Sequence, residues 1–156
     1  LVMLDKPENV SFERDYDPSL PMTVLDPNQI EQAVLNIVRN GMQALAEHFD
    51  KSVGNERARL IMQTRFAGNI VLHDKRFRQV IKISIIDNGG GISEDLIDTI
   101  FYPLVSTKSD GNGLGLSITQ TLIDQHRGKI EVDSVPGKTA FNIYLPVIQD
   151  NEGSDL

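Results

Sequence analysis

The chain holds 156 residues, 40% of them hydrophobic and 6% aromatic, enough for one globular domain with an ordinary core and too few for a second full one. Its net charge of -7 repels nucleic acid and anionic membrane surfaces, so neither is an expected partner. There is no cysteine for a disulfide or thiolate metal site, and no apolar run of bilayer-spanning length or signal peptide, so the default setting is cytoplasmic.

The stretch VSFERDY predicts a strand over Val10–Tyr16, followed by a proline-punctuated turn and a short strand from Met22 to Leu25. A helix begins at Asp26, a good N-cap, with Pro27 in its first position. Apolar residues follow at Ile30, Ala33, Val34, Ile37, Val38 and Leu45, and the helix is expected to reach about His48. A polar loop, DKSVGNERA, leads to three expected strands, RLIMQTRF, NIVLHDKRF and QVIKISIID, the first two joined through Ala67, Gly68 and Asn69. Ser93 is placed to cap a short helix carrying Leu96, Ile97, Ile100 and Phe101, with Glu94 and Asp95 at its positive end. Beyond the glycines at 111, 113 and 115 comes another helix, expected to be closed by Gly128 with His126 and Arg127 in its last turn. KIEVDS and TAFNIYLP form a last strand pair around Val135, Pro136 and Gly137, and VIQDNEGSDL reads as a frayed acidic tail. This order predicts an α/β sandwich built from consecutive strand pairs rather than regular βαβ alternation.

Gly111, Gly113 and Gly115 stand at alternate positions on the way into a helix. A helical glycine costs about 1 kcal/mol relative to alanine, so three at a helix entrance need a reason. Bare N–H groups at the positive end of a helix bind phosphate, whereas a flexible surface loop would carry the same glycines for no ligand at all. Two familiar phosphate loops fail on spacing: a dinucleotide fingerprint starting at Gly111 needs glycine where Leu116 stands, and a P-loop ending in GKT needs it at Val132.

In KISIIDNGGGI, Ile81, Ile83 and Ile85 share one strand face at period two, and Asp87 continues that row. A carboxylate closing a core-facing row needs a hydrogen-bond partner. Either Asp87, Asn88 and Gly89 form a hairpin turn, although no strand follows, or Asp87 accepts from a ligand amine while Gly89 and Gly91 let that ligand approach the backbone. On the first long helix, Asn36 and Asn40 lie one turn apart at the edge of the apolar stripe, beside Gln29 and Gln43. Such a pair is either a satisfied polar border or a set of hard oxygens for hydrated Mg²⁺.

Five segments in order, LNIVRN, DNGGGI, FYPLVSTK, GNGLGLSI and GKTAF, resemble the N, G1, F, G2 and G3 boxes of the ATP-binding domain of sensor histidine kinases, in the GHKL superfamily shared with DNA gyrase, Hsp90 and MutL. The likeness extends through RDYDPSLP, DPNQIEQAVLNIVRN, the RLIMQTRF to LHDKRFR hairpin and LIDQHRGKIE to the nitrogen-regulation kinases.

The resemblance implies a Bergerat ATP-binding fold: a two-layer sandwich with a mixed, mainly antiparallel sheet on about three helices and a mobile ATP lid. Residues 1–9 would be the linker from a missing dimerisation domain, 10–147 the ATP-binding catalytic domain and 148–156 an acidic flexible tail. It implies ATP and Mg²⁺ as cofactors. Asn40 would hold the metal, Asp87 would accept from the adenine amine, and Gly89, Gly91 and Ile92 would line the adenine pocket. Phe101 and Pro103 would shape the lid, while Gly111, Gly113, Leu114, Gly115 and Leu116 would face the phosphates and Thr139 would reach adenine through water. Lys108 is the candidate for neutralising charge in the lid. Asn36 stands where hydrolytic members of the superfamily carry a glutamate base, which suits transfer rather than hydrolysis. Gly41 replaces a common alanine and is expected to loosen the helix locally.

The phosphoacceptor histidine is expected elsewhere. His48 and His126 sit at helix ends, and His73 lacks the residues that follow an acceptor histidine. Implied partners are the chain's own dimerisation domain, an NtrC-like response regulator and a P-II-like signal protein. A hydrolytic ATPase or a nucleotide-free interaction module of the same fold are the competing readings.

Overall fold

The computed structural model describes residues 9–51, 54–104 and 114–148. Among them five strands form one sheet, in the order β1-β2-β3-β5-β4. β1 (Val10–Tyr16) pairs parallel with β2 (Ala58–Leu72) across the crossover helix α1 (Pro27–Lys51), and β3 (Lys75–Asp87) runs antiparallel to β2. The single turn α2 (Glu94–Ile97) and helix α3 (Gly115–Gln125) lead to β4 (Lys129–Val135) and β5 (Lys138–Pro146), which pair antiparallel, with β5 beside β3. The expected sandwich with a mixed, mainly antiparallel sheet is thus the observed one, with a single βαβ unit at its β1 edge.

Helix α1 starts where the sequence places it. The Asp26 carboxylate accepts the N–H groups of Asn28 and Gln29 at 3.0 and 3.2 Å, satisfying two donors that the helix itself cannot. The helix continues to Lys51, three residues beyond the expected His48. Its buried stripe of Ala33, Ile37, Val38 and Leu45 packs with Ile123 of α3 against the inner row of the sheet, where Leu60, Ile85, Phe141 and Ile143 are buried. Removing about 0.8 kcal/mol of hydration per buried methylene drives this packing.

Four local expectations are corrected. The three strands expected between 59 and 87 are two. Asn69 takes a left-handed φ of 56° but stays inside the ladder, where Gly68 faces Gln79 and Ile70 faces Phe77. The reversal falls instead at His73 and Asp74, with φ of 49° and 65°, the two consecutive positive values that match a hairpin to strand twist. The segment Met22–Leu25 is not a strand. Its Val24 N–H bonds the Ile148 carbonyl at 3.0 Å and its Thr23 hydroxyl accepts from the Ile148 N–H at 2.9 Å, so it runs beside the end of β5 without a ladder.

Ser93 precedes α2 in an extended conformation but makes no side-chain cap bond, and Ile100 and Phe101 lie past the helix. At the end of α3 it is Arg127, φ 58°, that turns left-handed. Gly128 N–H then bonds Ile123 O at 3.0 Å and Arg127 N–H bonds Asp124 O at 2.9 Å, which closes the helix in a Schellman motif. Gly128 is needed for a different reason: a Cβ there would collide with the Tyr144 carbonyl.

Candidate functional site

At the end of the inner sheet face, Ser134 of β4, Thr139 of β5, Asp87 of β3 and Leu60 of β2 are neighbours in register. Asp87 and Thr139 are each only 4% exposed. The chain beyond Asp87 does not turn into a hairpin. Asn88 instead extends the pairing with β2, its N–H on Arg59 O at 3.3 Å, its Oδ1 accepting Arg59 N–H at 2.7 Å and its amide donating to Arg57 O at 2.9 Å.

The glycines that follow are set by what they touch. The Gly89 N–H donates to Asp87 Oδ1 at 2.9 Å, and a Cβ on Gly89 would stand 2.9 Å from that oxygen. Gly91 has φ +83°, and a Cβ there would lie 2.8 Å from the Val135 carbonyl. The β4–β5 turn grips the same loop twice more, through Gly137 N–H to Gly89 O at 3.1 Å and Ile92 N–H to Ser134 Oγ at 2.8 Å. Loop 88–92 is therefore held against the sheet end rather than splayed into solvent.

Helix α1 closes one side of this end. A Cβ on Gly41 would meet Leu60 Cδ1 at 2.7 Å and stand 3.6 Å from Asp87 Oδ2, so glycine here permits close approach of helix to sheet. The expected local loosening is not seen; α1 runs unbroken through it. One turn earlier, Asn36 donates from Nδ2 to Gly115 O at 3.4 Å and ties α1 to the first residue of α3. Asn40 is half-buried on the same helix. Thr119, buried, bonds Gly115 O at 2.9 Å and keeps the α3 entrance fixed.

Leu114 occupies the N-cap of α3, where a serine or aspartate would fill the first-turn donors, and it offers no side-chain acceptor. A Cβ on Gly115 would meet none of the described residues within 4 Å. Packing against the described residues does not require that glycine. The arrangement therefore joins an acidic acceptor in a buried row to the positive end of a helix, with two asparagine amides on the helix alongside. Leu116, Ile92 and Phe101 pack against the core, and Phe101 meets Phe141 edge-on at 6.3 Å, while Pro103 is exposed. Lys108, Gly111 and Gly113 lie outside the described residues. Among the described residues, no group of three or more His, Asp or Glu is arranged as a metal site. The side-chain oxygens that Asn36 and Asn40 carry on α1 are amides, a class that suits a hard ion keeping most of its other ligands.

Sequence reasoning missed Ser134. Its signal was present, because a two-residue turn at Pro136 and Gly137 fixes Val135 opposite Lys138 and hence Ser134 opposite Thr139.

Residues 25–149 match the family described as histidine kinase-, DNA gyrase B-, and HSP90-like ATPase, and the chain belongs to that family. It is 52% identical over 147 residues to the sensory histidine kinase/phosphatase NtrB of Escherichia coli O157:H7, covering 94% of this chain and 40% of that protein. The corresponding protein of Rhodobacter capsulatus is 38% identical over 134 residues, 85% of this chain and 36% of that one. The chain thus spans about 40% of the length of these curated relatives. Among solved structures, the catalytic domain of histidine kinase ThkA superposes with a TM-score of 0.69 at 26% identity, over 89% of this chain and 80% of that one.

Proposed function

We propose that this chain is the ATP-binding catalytic unit of an NtrB-type sensor histidine kinase. It would place ATP with Mg²⁺ so that the γ-phosphoryl group passes to a histidine on a separate dimerisation domain, for relay to an aspartate of an NtrC-like response regulator. The observation that carries this reading is Asp87, buried at the sheet end beside Thr139 and next to Gly41 of α1, the helix whose Asn36 bonds the first residue of α3.

A carboxylate is acceptor-only, so it pairs with a donor such as the exocyclic amine of adenine. Gly89, Gly91 and Ile92 would supply the loop against which the base lies, and Leu114, Gly115 and Leu116 would direct backbone N–H groups of the α3 entrance to the phosphates, a role shared by Gly111 and Gly113 that precede them in sequence. Asn40 would hold Mg²⁺, which would help offset the phosphate charge; Lys108 would add to that neutralisation, and Phe101, packed on the core, would anchor the lid. Asn36 is a neutral amide and cannot serve as a base for water, which favours transfer over hydrolysis. Catalysis is then placement and charge neutralisation: the P–O bond to ADP breaks as the bond to an imidazole nitrogen forms.

Two of the chain's three histidines support an acceptor on another domain. The Nδ1 of His126 donates to Leu122 O at 2.8 Å and its Nε2 accepts from Asp26 N–H at 3.0 Å, which occupies both nitrogens. His73 Nε2 donates to Gly128 O at 2.7 Å, far along the sheet from Asp87. No helix among the described residues is long and apolar enough to cross a membrane; a cytoplasmic setting and control by a P-II-like signal protein belong to the same proposal.

The test is calorimetric titration of the chain with ATP and GTP, with and without Mg²⁺, on wild type and Asp87→Asn. Adenine-selective binding that needs Asp87 is expected. Binding that is indifferent to both the base and Asp87 would overturn the reading, and sustained ATP turnover by the chain alone would replace the kinase with a hydrolase.

A further inference from the structure

We propose that residues 149–156 of this chain are the occupant of a free, cationic strand edge on the β2–β3 hairpin, which they cover by carrying the line of β5 onward.

The edge is defined by where pairing stops. β5 lies beside β3 from Asp87, opposite Thr139, down to Val80, opposite Pro146. Between Lys75 and Gln79, no strand among the described residues stands on the β5 side of β3. An open edge of this kind invites another strand. It is also locally basic in a chain of net charge -7: Lys75, Arg76 and Arg78 are exposed, and Asp74 is the single carboxylate from His73 to Gln79. None of the three cations is in an ion pair among the described residues.

The described residues end in line with that edge. Val147 N–H bonds Gln79 O at 3.0 Å, one pair beyond Val80 and Pro146. Ile148 is gripped from its other side, where its N–H donates to the Thr23 hydroxyl at 2.9 Å and its carbonyl accepts the Val24 N–H at 3.0 Å. An antiparallel register carried on from these pairs sets Asp150 opposite Arg76, on one face, where opposite charges attract. Residues 149–156, QDNEGSDL, hold Asp150, Glu152 and Asp155 and no Lys or Arg. At about 3.3 Å per residue, three residues beyond Ile148 reach the level of Lys75. Charge, direction and length therefore fit this occupant. A second copy joined edge to edge would instead set the cations of one hairpin against those of the other.

Amide hydrogen exchange followed by NMR tests this on the full chain, on a chain ending at Ile148, and on Arg76→Glu, Asp150→Arg and the double reversal. Among the amides of residues 75–78, those that face the free edge are expected to exchange about tenfold faster without residues 149–156. The buried α1 residue Ile37 is the internal reference, so that a general loss of stability is taken out. Each single reversal should speed the same amides, and the double reversal should slow them again, a return that only direct pairing of the two side chains gives. If the chain ending at Ile148 does not fold, the three reversals in the full chain decide alone. Equal exchange with and without residues 149–156 would overturn the proposal and leave the cations as a charge that keeps other strands off the edge. Protection that survives the truncation and rises with protein concentration would also overturn it, by putting a second copy there. A double reversal no slower than the single ones would overturn the pairing of Asp150 with Arg76.

Discussion

The two ends of the sheet are closed in different ways. At the far end, contacts close within the protein: His126 bridges Leu122 and Asp26, His73 at the β2–β3 turn holds Gly128 O, and Gly128 is pressed against the Tyr144 carbonyl. At the near end, Gly89 and Gly91 crowd Asp87 and Val135, but Gly115 touches none of the described residues through its α-carbon face and the α3 cap has no side-chain acceptor. What distinguishes a ligand site here is the residue type that packing leaves unexplained.

Breaking that contrast at the near end should have the largest effect. Asp87→Asn replaces an acceptor-only group with an amide, and a hydrogen bond to a charged group is worth about 1.5 to 3 kcal/mol. ATP affinity is expected to fall roughly tenfold to a hundredfold in calorimetry while the urea midpoint moves little; a matching loss of stability would make Asp87 a structural residue. Gly128→Ala is the converse. Overpacking against Tyr144 O should cost about 1 to 3 kcal/mol in urea denaturation, with the ATP affinity of the folded chain unchanged. If affinity drops in step with stability, the two ends are coupled rather than separate.

A smaller change sharpens the far end. Asp26→Ala removes the side chain that caps α1, at about 1 kcal/mol, but leaves the Asp26 N–H that His126 receives. A loss well above 2 kcal/mol by thermal unfolding would mean that the histidine contact collapses with the cap.

The same contrast explains what could be read from the sequence. The α1 start was legible because Asp26 and Pro27 act locally, and the end of β3 was legible because Ile81, Ile83, Ile85 and Asp87 keep one period. The β2–β3 turn was not. Gly68 and Asn69 carry the stronger local turn signal, yet cross-strand pairing on both sides of them holds the ladder together, and a His-Asp pair makes the reversal. Gly128 was assigned the left-handed role by type, while the neighbouring carbonyl of Tyr144, remote in sequence, claims the glycine and leaves Arg127 to turn. Gly41 likewise depends on Leu60 across the layers. In each case the missing information is which distant backbone comes close.

The smallest predicted effect lies at the β1 edge, away from both ends. The Arg65 guanidinium, 2.5 Å from Asp15, holds that carboxyl below its ordinary value of 3.8, with the Gln63 amide adding to the effect. A carboxyl lowered in the folded state adds stability above its ordinary range, and that stability is lost as the pH falls through the folded value. Both partners are about half exposed, so solvent and salt screen the pair. Asp15→Asn should therefore lower the melting temperature slightly at neutral pH and low salt. The difference from wild type should shrink below about pH 4 and again at about 1 M salt, where screening is nearly complete. A difference that persists under both conditions would show that Asp15 acts through its hydrogen bonds to the β2 edge and not through charge, placing this edge with the self-contained contacts of the far end.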